Sequence, residues 1–379
     1  MKFFHLSDLH LGKRVNEFSM LDDQMDILTK IVALAEEHKP DAVLIAGDVY
    51  DKATPIVEAV QLLDRFLVWL NELGIVVFMI SGNHDSAERV AFGAELLKNS
   101  NVHIVKSYQG KLDPVTITDD NGELYIWMLP YLKPSLVKRH FPDKAINTYT
   151  EALRTVLSGI NLDSSKRNIL VAHQFVTGAT TSESEEIYIG GSENVDGSLF
   201  DTFDYVALGH LHRPQYIGRE TLRYSGSPLK YSFSEANDKK SVTVVEMGDK
   251  GDISISTLPL TPAHEMQVIK GTYSELMSRD FQRTLDTDNY VRVVLTDEYE
   301  EPDARRKMEI VYKNLMSLEY DNKRTQATTE FTTVDATERK TPTEYFADFF
   351  QMQNGQPPTG EQSQYVAQVF AQIFEEANA

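Results

Sequence analysis

The sequence predicts an α/β fold: helices covering a central sheet, then a small α+β module, then C-terminal helices. Three observations carry this. Short apolar runs of strand length alternate with segments of helical periodicity through the first two-thirds of the chain. Near residue 260 the texture changes to shorter elements. A polar, Thr-rich stretch over 321–341 then sets off two aromatic-rich segments at the end. A length of 379 residues, at roughly 150 residues per domain, agrees with two to three domains.

The first apolar run covers residues 2–6. A helix follows over 21–38, where Ile27, Leu28, Ile31, Leu34 and Ala35 recur at helical spacing. Runs at 42–46 and 76–80 bracket a second helix over 55–73. Runs at 125–128, 168–172 and 205–208 complete six buried strands. Residues 241–246 and 252–258 look like a closing hairpin. In the smaller module, 265–270 and 290–296 read as strands, and segments near 273–279 and 304–315 as helices. Residues 343–353 and 364–377 read as two helices parted by the Gly/Pro-rich 354–360. The expected domains are 1–260, 261–320, a linker at 321–342 and a helical segment at 343–379.

Composition narrows the class. Hydrophobic residues make up 41% and charged residues 25%, ordinary values for a globular core. There is no cysteine, which excludes disulfides, zinc–thiolate sites and thiol nucleophiles. Asp8 and His10 interrupt the N-terminus before an apolar signal region can form. The longest apolar runs, such as 75–80, fall far short of the ~20 residues a membrane span needs. A soluble, cytoplasmic chain is expected. Its 37 Lys+Arg against 57 Asp+Glu give a net charge of −20, which argues against passive binding to nucleic acid. Bound divalent cations would reverse that sign locally, and a basic partner surface could supply the rest.

Five of the six strands run into residues able to hold a metal. The first leads into Asp8-Leu9-His10, the second into Gly47-Asp48 and the third into Gly82-Asn83-His84-Asp85. The fifth ends at His173 and the sixth at Gly209-His210-Leu211-His212. Loops at the carboxyl ends of sheet strands converge on one crevice, where α/β folds place their sites. A lone aspartate there is usually a turn or cap, and a lone histidine a packing residue. Five of the chain's ten histidines fall in these short segments, however, and independent accidents do not coincide in this way. Oxygen and imidazole ligands without thiolate suit Mn²⁺, Fe²⁺ or Zn²⁺. The mixture of Asp, His and Asn favours two Mn²⁺ ions, with Mg²⁺ or another divalent cation as substitute. Two such ions about 3.5–4 Å apart clamp a phosphate and activate water for in-line attack.

The series D-x-H, G-D-x-x-D, G-N-H-D, H and G-H-x-H, spanning residues 8 to 212, resembles the calcineurin-like metallophosphoesterases. That resemblance implies a β-sandwich flanked by helices. It implies that Asp8, His10, Asp48 and His212 hold one metal, that Asp48 bridges, and that Asn83, His173 and His210 complete the second. His84 would face the scissile phosphate and stabilise or protonate the leaving oxygen. Asp51 matches the residue that orients this histidine in many members, although it also suits an ordinary turn. Asp85 is read as a cap for the helix that follows.

Within that superfamily the chain looks like the SbcD branch. Protein Ser/Thr phosphatases carry Glu where this chain has Asp85 and continue G-D-x-V-D-R-G, where this chain reads Gly47-Asp48-Val49-Tyr50-Asp51-Lys52-Ala53. The segment from Tyr224 through Ser225, Ser227 and Lys230 to Glu235 is similar to the SbcD segment after the last metal motif. Ser225, Ser227 and Lys230, with Lys13, Arg14, Lys52, Arg89 and Arg213, are candidate DNA contacts, since polar donors and cations position a phosphate backbone. The loop 177–191 departs from the family, with Glu185-Glu186 where arginine is common, so a DNA contact from it is not expected. The small module occupies the place of the SbcD capping domain.

Tyr365, Val366, Val369, Phe370, Ile373 and Phe374 form one apolar helical face, and Tyr345, Phe346, Phe349 and Phe350 form another. Such faces suit docking in a groove of a partner. In the SbcD branch that partner is the coiled-coil base of an SbcC-like ATPase, in a heterotetramer containing a homodimer of the nuclease. The chain itself lacks a G-x-x-x-x-G-K-[ST] loop, so ATP binding belongs to the partner. The resemblance implies a Mn²⁺-dependent hydrolase for DNA repair, recombination and replication, with 3′→5′ exonuclease and hairpin endonuclease activity. The rivals are a small-molecule phosphodiesterase or phosphatase of the same fold, and a non-enzymatic scaffold.

Overall fold

The computed structural model describes residues 1–185, 193–323, 325, 341–354 and 356–376, without the side chains of 342, 352–354 and 371–376. The apolar runs fold as two six-stranded sheets rather than one. The first runs Ile253–Pro259, Ser241–Met247, Lys2–Leu6, Ala42–Ala46, Val76–Ile80, Val102–Ile104. The second runs Gln215–Ile217, Arg219–Tyr224, Tyr205–Gly209, Arg167–His173, Gly122–Leu129, Val115–Asp119. Periodicity identifies a strand but not its sheet, which is why the sequence pattern alone reads as a single layer. Pairs from Lys2–Leu6 through Val102–Ile104 and from Arg219–Tyr224 through Gly122–Leu129 are parallel, and the remaining pairs are antiparallel.

The sheets pack face to face through Phe3, Leu44, Phe78 and Ile80 on one side and Ile126, Ile169 and Tyr205 on the other. Helix Leu21–His38 buries Ile27, Leu28, Ile31 and Ala35, and helix Val57–Glu72 buries Leu62, Leu63, Phe66 and Leu70. The other face of the second sheet is covered by helices Pro134–His140 and Tyr149–Leu157, whose Val137, Leu153 and Val156 pack with Leu170 and Val206. Strands covered on both faces read as continuous apolar runs, and Ala42–Ala46 is buried at every position.

His5 ties the two sheets together. Its Nδ1 lies 2.8 Å from the Tyr205 hydroxyl and its Nε2 3.1 Å from the Leu208 carbonyl. Burial drives its pKa down to about 3; the hydrogen bond to the Leu208 carbonyl opposes this, and Arg223 adds to it. A histidine whose folded pKa is depressed costs stability as pH falls from the unfolded value of 6.5 toward 3, because the unfolded chain then binds the extra proton. Between pH 7 and 4.5 this site should cost roughly 2–3 kcal/mol. Urea melts at both pH values should show His5→Gln losing less stability over that interval by about this amount; equal losses would remove His5 as a source.

The chain divides into two compact units, Met1–Gln267 and Val268–Ala379. A three-stranded sheet of Met266–Gly271, Tyr290–Leu295 and Leu315–Tyr320 supports a separate core of Ile269, Leu276, Val291, Val293, Met308 and Tyr312. The helix expected over 304–315 stops at Met308, and Leu315–Tyr320 is a strand parallel to Tyr290–Leu295. Met308, Tyr312 and Leu315 keep helical spacing and are all buried, so tertiary pairing overrides the local signal. The final helices are Pro342–Asn354 and Gly360–Glu376. Most of the expected linker lies outside the described residues. Among the described residues no helix is long and apolar enough to cross a membrane.

Candidate metal centre

The loops after five strands bring the expected ligands together on strained backbone. Asp8, His10, Asp48 and His210 have φ of 53°, 44°, 46° and 108°, a region that L residues seldom occupy and that costs on the order of 1–3 kcal/mol each. Neighbouring loops hold them there. The Asp8 amide donates to the Gly47 carbonyl at 3.1 Å, the His10 amide to the Asp48 carbonyl at 2.9 Å, and the His210 amide to Asp8 Oδ1 at 3.0 Å. There is no room for a side chain where these loops cross: a Cβ on Gly209 would sit 1.9 Å from the Ala46 oxygen, and one on Gly82 2.1 Å from Asp48 Oδ1.

Asp85 is not a helix cap. Its carboxylate accepts the backbone amides of Val49 at 3.0 Å, Tyr50 at 2.9 Å and Gly82 at 2.9 Å, while Ser86 occupies the cap position. The residue therefore staples the Asp48 loop to the Asn83 loop. Burial and the Asp48 charge push its pKa up to about 6 against the pull of those three amides.

Three overlapping groups could hold a cation: Asp8, His10 and His212; His10, Asp48 and His84; Asp48, His173 and His210. In each, the ligand atoms lie within 4.8 Å of one another. His10 Nε2 is 3.0 Å from His212 Nε2 and 3.7 Å from Asp48 Oδ2. Asp48 Oδ2 is 3.2 Å from His173 Nε2, and Asn83 Oδ1 is 2.9 Å from both His173 Nε2 and His210 Nδ1. His10 Nδ1 and His210 Nε2 are buried without a hydrogen-bond partner. Convergent carboxylate, amide oxygen and imidazole atoms with no thiolate fit divalent first-row cations.

The electrostatics are those of an unusual site. Burial raises the Asp8 pKa to about 6, although His173 and His212 oppose it. Burial lowers His210 to about 3, helped by His173. Burial works against a charged His173, but Asp48 holds it up at about 9, while Asp48 itself is kept well below its usual range despite burial. Carboxylates and imidazoles perturbed in opposite directions within one crevice mark functional sites.

His84 Nδ1 lies 3.1 Å from the main-chain oxygen of Asp51, so Asp51 meets this ring through its backbone. Its carboxylate instead accepts Lys13 Nζ at 2.8 Å and lies 3.8 Å from His10 Nδ1. The His84 amide donates to Asp48 Oδ1 at 3.0 Å.

Residues 1–214 match the family described as calcineurin-like phosphoesterase, and residues 262–354 match the type 5 capsule protein repressor C-terminal domain. The SbcD component of the SbcCD nuclease of Staphylococcus epidermidis is 37% identical over 322 residues, covering 84% of this chain and 85% of its own. That of Staphylococcus saprophyticus is 34% identical over 387 aligned positions, covering 100% of both. The chain belongs to the SbcD branch of the calcineurin-like phosphoesterases. A dimetal phosphatase from Danio rerio aligns with 69% of this chain and 98% of its own at a TM-score of 0.43 and 11% identity; the fold assignment rests on the family match.

Of the basic residues that flank the metal motifs, Arg14 and Lys52 are exposed and line a cleft of about 310 Å³ beside Asp51. Arg89 is exposed and donates to the Ala53 carbonyl at 3.0 Å. Lys13 is committed to Asp51, and Arg213 bonds Asp238 at 3.1 Å. Ser225, Ser227 and Lys230 do not offer a DNA surface. Ser225 and Ser227 are buried, with Ser225 Oγ 2.8 Å from Ser7 Oγ and Ser227 Oγ donating to the Leu229 carbonyl at 2.6 Å. Lys230 is buried and donates to the Ala236 carbonyl at 2.7 Å and to Glu265. A Gly/Ser/Pro/Lys segment looks polar in sequence, yet here it forms the packed wall behind the metal centre.

Three residues of that wall carry no ligand-type motif: Ser184, Glu235 and Lys240. Glu and Lys are read by default as exposed, so only the unusual segment containing Glu235 could have flagged them. On the C-terminal helices of this SbcD-branch chain, Tyr345, Phe349 and Tyr365 are exposed. Phe346 and Phe350 are half-buried with ring centroids 6.0 Å apart, and Val366, Val369 and Phe370 are half-buried. Ile373 and Phe374 lie in the last helix, with side chains outside the description; Glu186 also falls outside the described residues.

Proposed function

We propose that this chain is a divalent-metal phosphodiesterase that cuts DNA as the nuclease component partnered by an SbcC-like ATPase. The observation that carries the reading is the convergence of Asp8, His10, Asp48, Asn83, His173, His210 and His212 from five loops of two sheets. Asp8, His10, Asp48 and His212 would hold one Mn²⁺, with Asp48 shared, and Asn83, His173 and His210 the other; Mg²⁺ or another divalent cation can substitute. When bound, such a pair supplies Lewis-acid charge to the phosphate and lowers the pKa of water.

The chain's own groups do the rest. The Asp51 carbonyl fixes the His84 ring by accepting from Nδ1–H, which leaves Nε2 to face the departing oxygen and, in the doubly protonated ring, to give it a proton, as general acids do. Asp85 keeps the Asp48 and Asn83 loops in register. Arg14 and Lys52 in the cleft, with Arg89 nearby in sequence to His84, are placed to position a phosphate backbone, a role that carries no sequence reading. The net charge of −20 makes affinity for DNA weak unaided. The exposed aromatic helices support docking on the partner, within a heterotetramer containing two copies of this chain.

The test is a Mn²⁺-dependent assay on hairpin and blunt-ended DNA, with and without the ATPase partner. Hairpin opening and 3′→5′ digestion are expected, rising with the partner and ATP. Efficient turnover of phosphomonoesters with DNA left intact would sink the nuclease reading in favour of a small-molecule phosphatase.

A further inference from the structure

His212 presents Nε2 to His10 at 3.0 Å and shares a candidate ligand group with His10 and Asp8, and its other nitrogen faces a chain of hydrogen-bonded side chains. Nδ1 lies 2.6 Å from Ser184 Oγ, which lies 2.5 Å from Glu235 Oε1. The Glu235 carboxylate is wholly buried, and its second oxygen is 2.5 Å from Lys240 Nζ, itself buried. Lys240 spends its other donors on the main-chain oxygen of His212 at 2.7 Å and on Ser227 Oγ at 2.9 Å. Glu185, next to Ser184, accepts the His212 amide at 2.7 Å. Both ends of the His212 residue, ring and backbone, are thus gripped by one network.

We propose that Ser184, Glu235 and Lys240 form a positioning relay that fixes the tautomer and aim of His212. The inference rests on His212 being a metal ligand, as in the proposed function. A hydroxyl has one proton. Given to Glu235, it leaves the oxygen of Ser184 to accept from Nδ1–H, so that Nε2 keeps its lone pair for a cation. Partners on the far nitrogen of a ligating imidazole set its orientation and basicity in this way. Stability alone does not account for the pair. Removing two charges from water is expensive, and apolar replacements of similar volume are often as stable. The relay also ties residues 182–185 to the centre, since Ser184 reaches His212 and Glu235 at once.

Mn²⁺ titration calorimetry on the full chain tests this, comparing the parent with Ser184→Ala, Ser184→Thr, Glu235→Gln and His212→Ala. Ser184→Ala and Glu235→Gln should weaken one of two bound ions by roughly 10–100-fold and leave the other within about twofold of the parent, as differences at one site should. Ser184→Thr, which keeps the hydroxyl, should restore the parent affinity. A role confined to packing would instead lower the melting temperature of the metal-free chain without separating the two affinities, and that result overturns the relay. So does unchanged Mn²⁺ affinity in Ser184→Ala while His212→Ala weakens it. If His212→Ala itself leaves both ions bound as tightly, the ligand assignment fails and the relay with it. Should Glu235→Gln fail to fold, the Ser184 pair decides, because it alters a half-buried loop residue.

Discussion

Asp48→Ala is expected to abolish DNA cleavage and to remove tight binding of divalent ions. Asp48 belongs to two of the three ligand groups, and its carboxylate reaches ligand atoms from both sheets, His10 at 3.7 Å and His173 at 3.2 Å. Its other oxygen takes the His84 amide at 3.0 Å. One substitution therefore removes a shared anion and releases the loop carrying His84. Loss of an outer partner costs about 10–100-fold in metal affinity, so loss of a shared inner one should exceed about 100-fold. Calorimetry with Mn²⁺ and cleavage of a labelled hairpin, beside a circular dichroism control for folding, check this. Metal binding within tenfold of the parent would show that the two groups do not share this residue.

His84→Ala should separate binding from chemistry. Cleavage should fall by roughly 10²–10⁴-fold, the range for a positioned proton donor, while Mn²⁺ affinity stays within a few fold. The ring is held at Nδ1 by a carbonyl and packs edge-on against His10 at 4.9 Å between centroids. Its ligand atoms are also close enough to His10 and Asp48 to join a cation site. The two measurements decide between these roles: a large loss of metal affinity makes His84 a ligand. Asp51→Ala is the informative companion, because the contact to His84 comes from the Asp51 backbone and should survive loss of the carboxylate.

Much of this was legible in the sequence, for physical reasons that vary by element. Ala42–Ala46 and Val76–Ile80 can be read residue for residue because they lie within a sheet covered on both faces. The short strands Val102–Ile104 and Gln215–Ile217 cannot, since so few residues carry no period. The ligand types are legible because each follows a buried strand. Their left-handed backbone is not, since nothing in the composition of D-x-H or G-H-x-H announces a positive φ. The least legible part is the wall behind the centre, where Glu235 and Lys240 are buried as a pair. Burial of a charge is decided by partners distant in sequence, and no local pattern encodes them.

The division of ligands between the sheets has a consequence for biogenesis. Asp8, His10, Asp48 and Asn83 follow strands of one sheet, and His173, His210 and His212 follow strands of the other. A ribosome-bound chain that has delivered only its first hundred residues holds half a centre: the Asp8 and His10 amides have Gly47 and Asp48 to bond, but the groups of the second sheet do not yet exist. Contacts between residues some two hundred positions apart, such as Asp8 with His210, form late because long loops must close first. A centre built this way can be complete only once both halves have met.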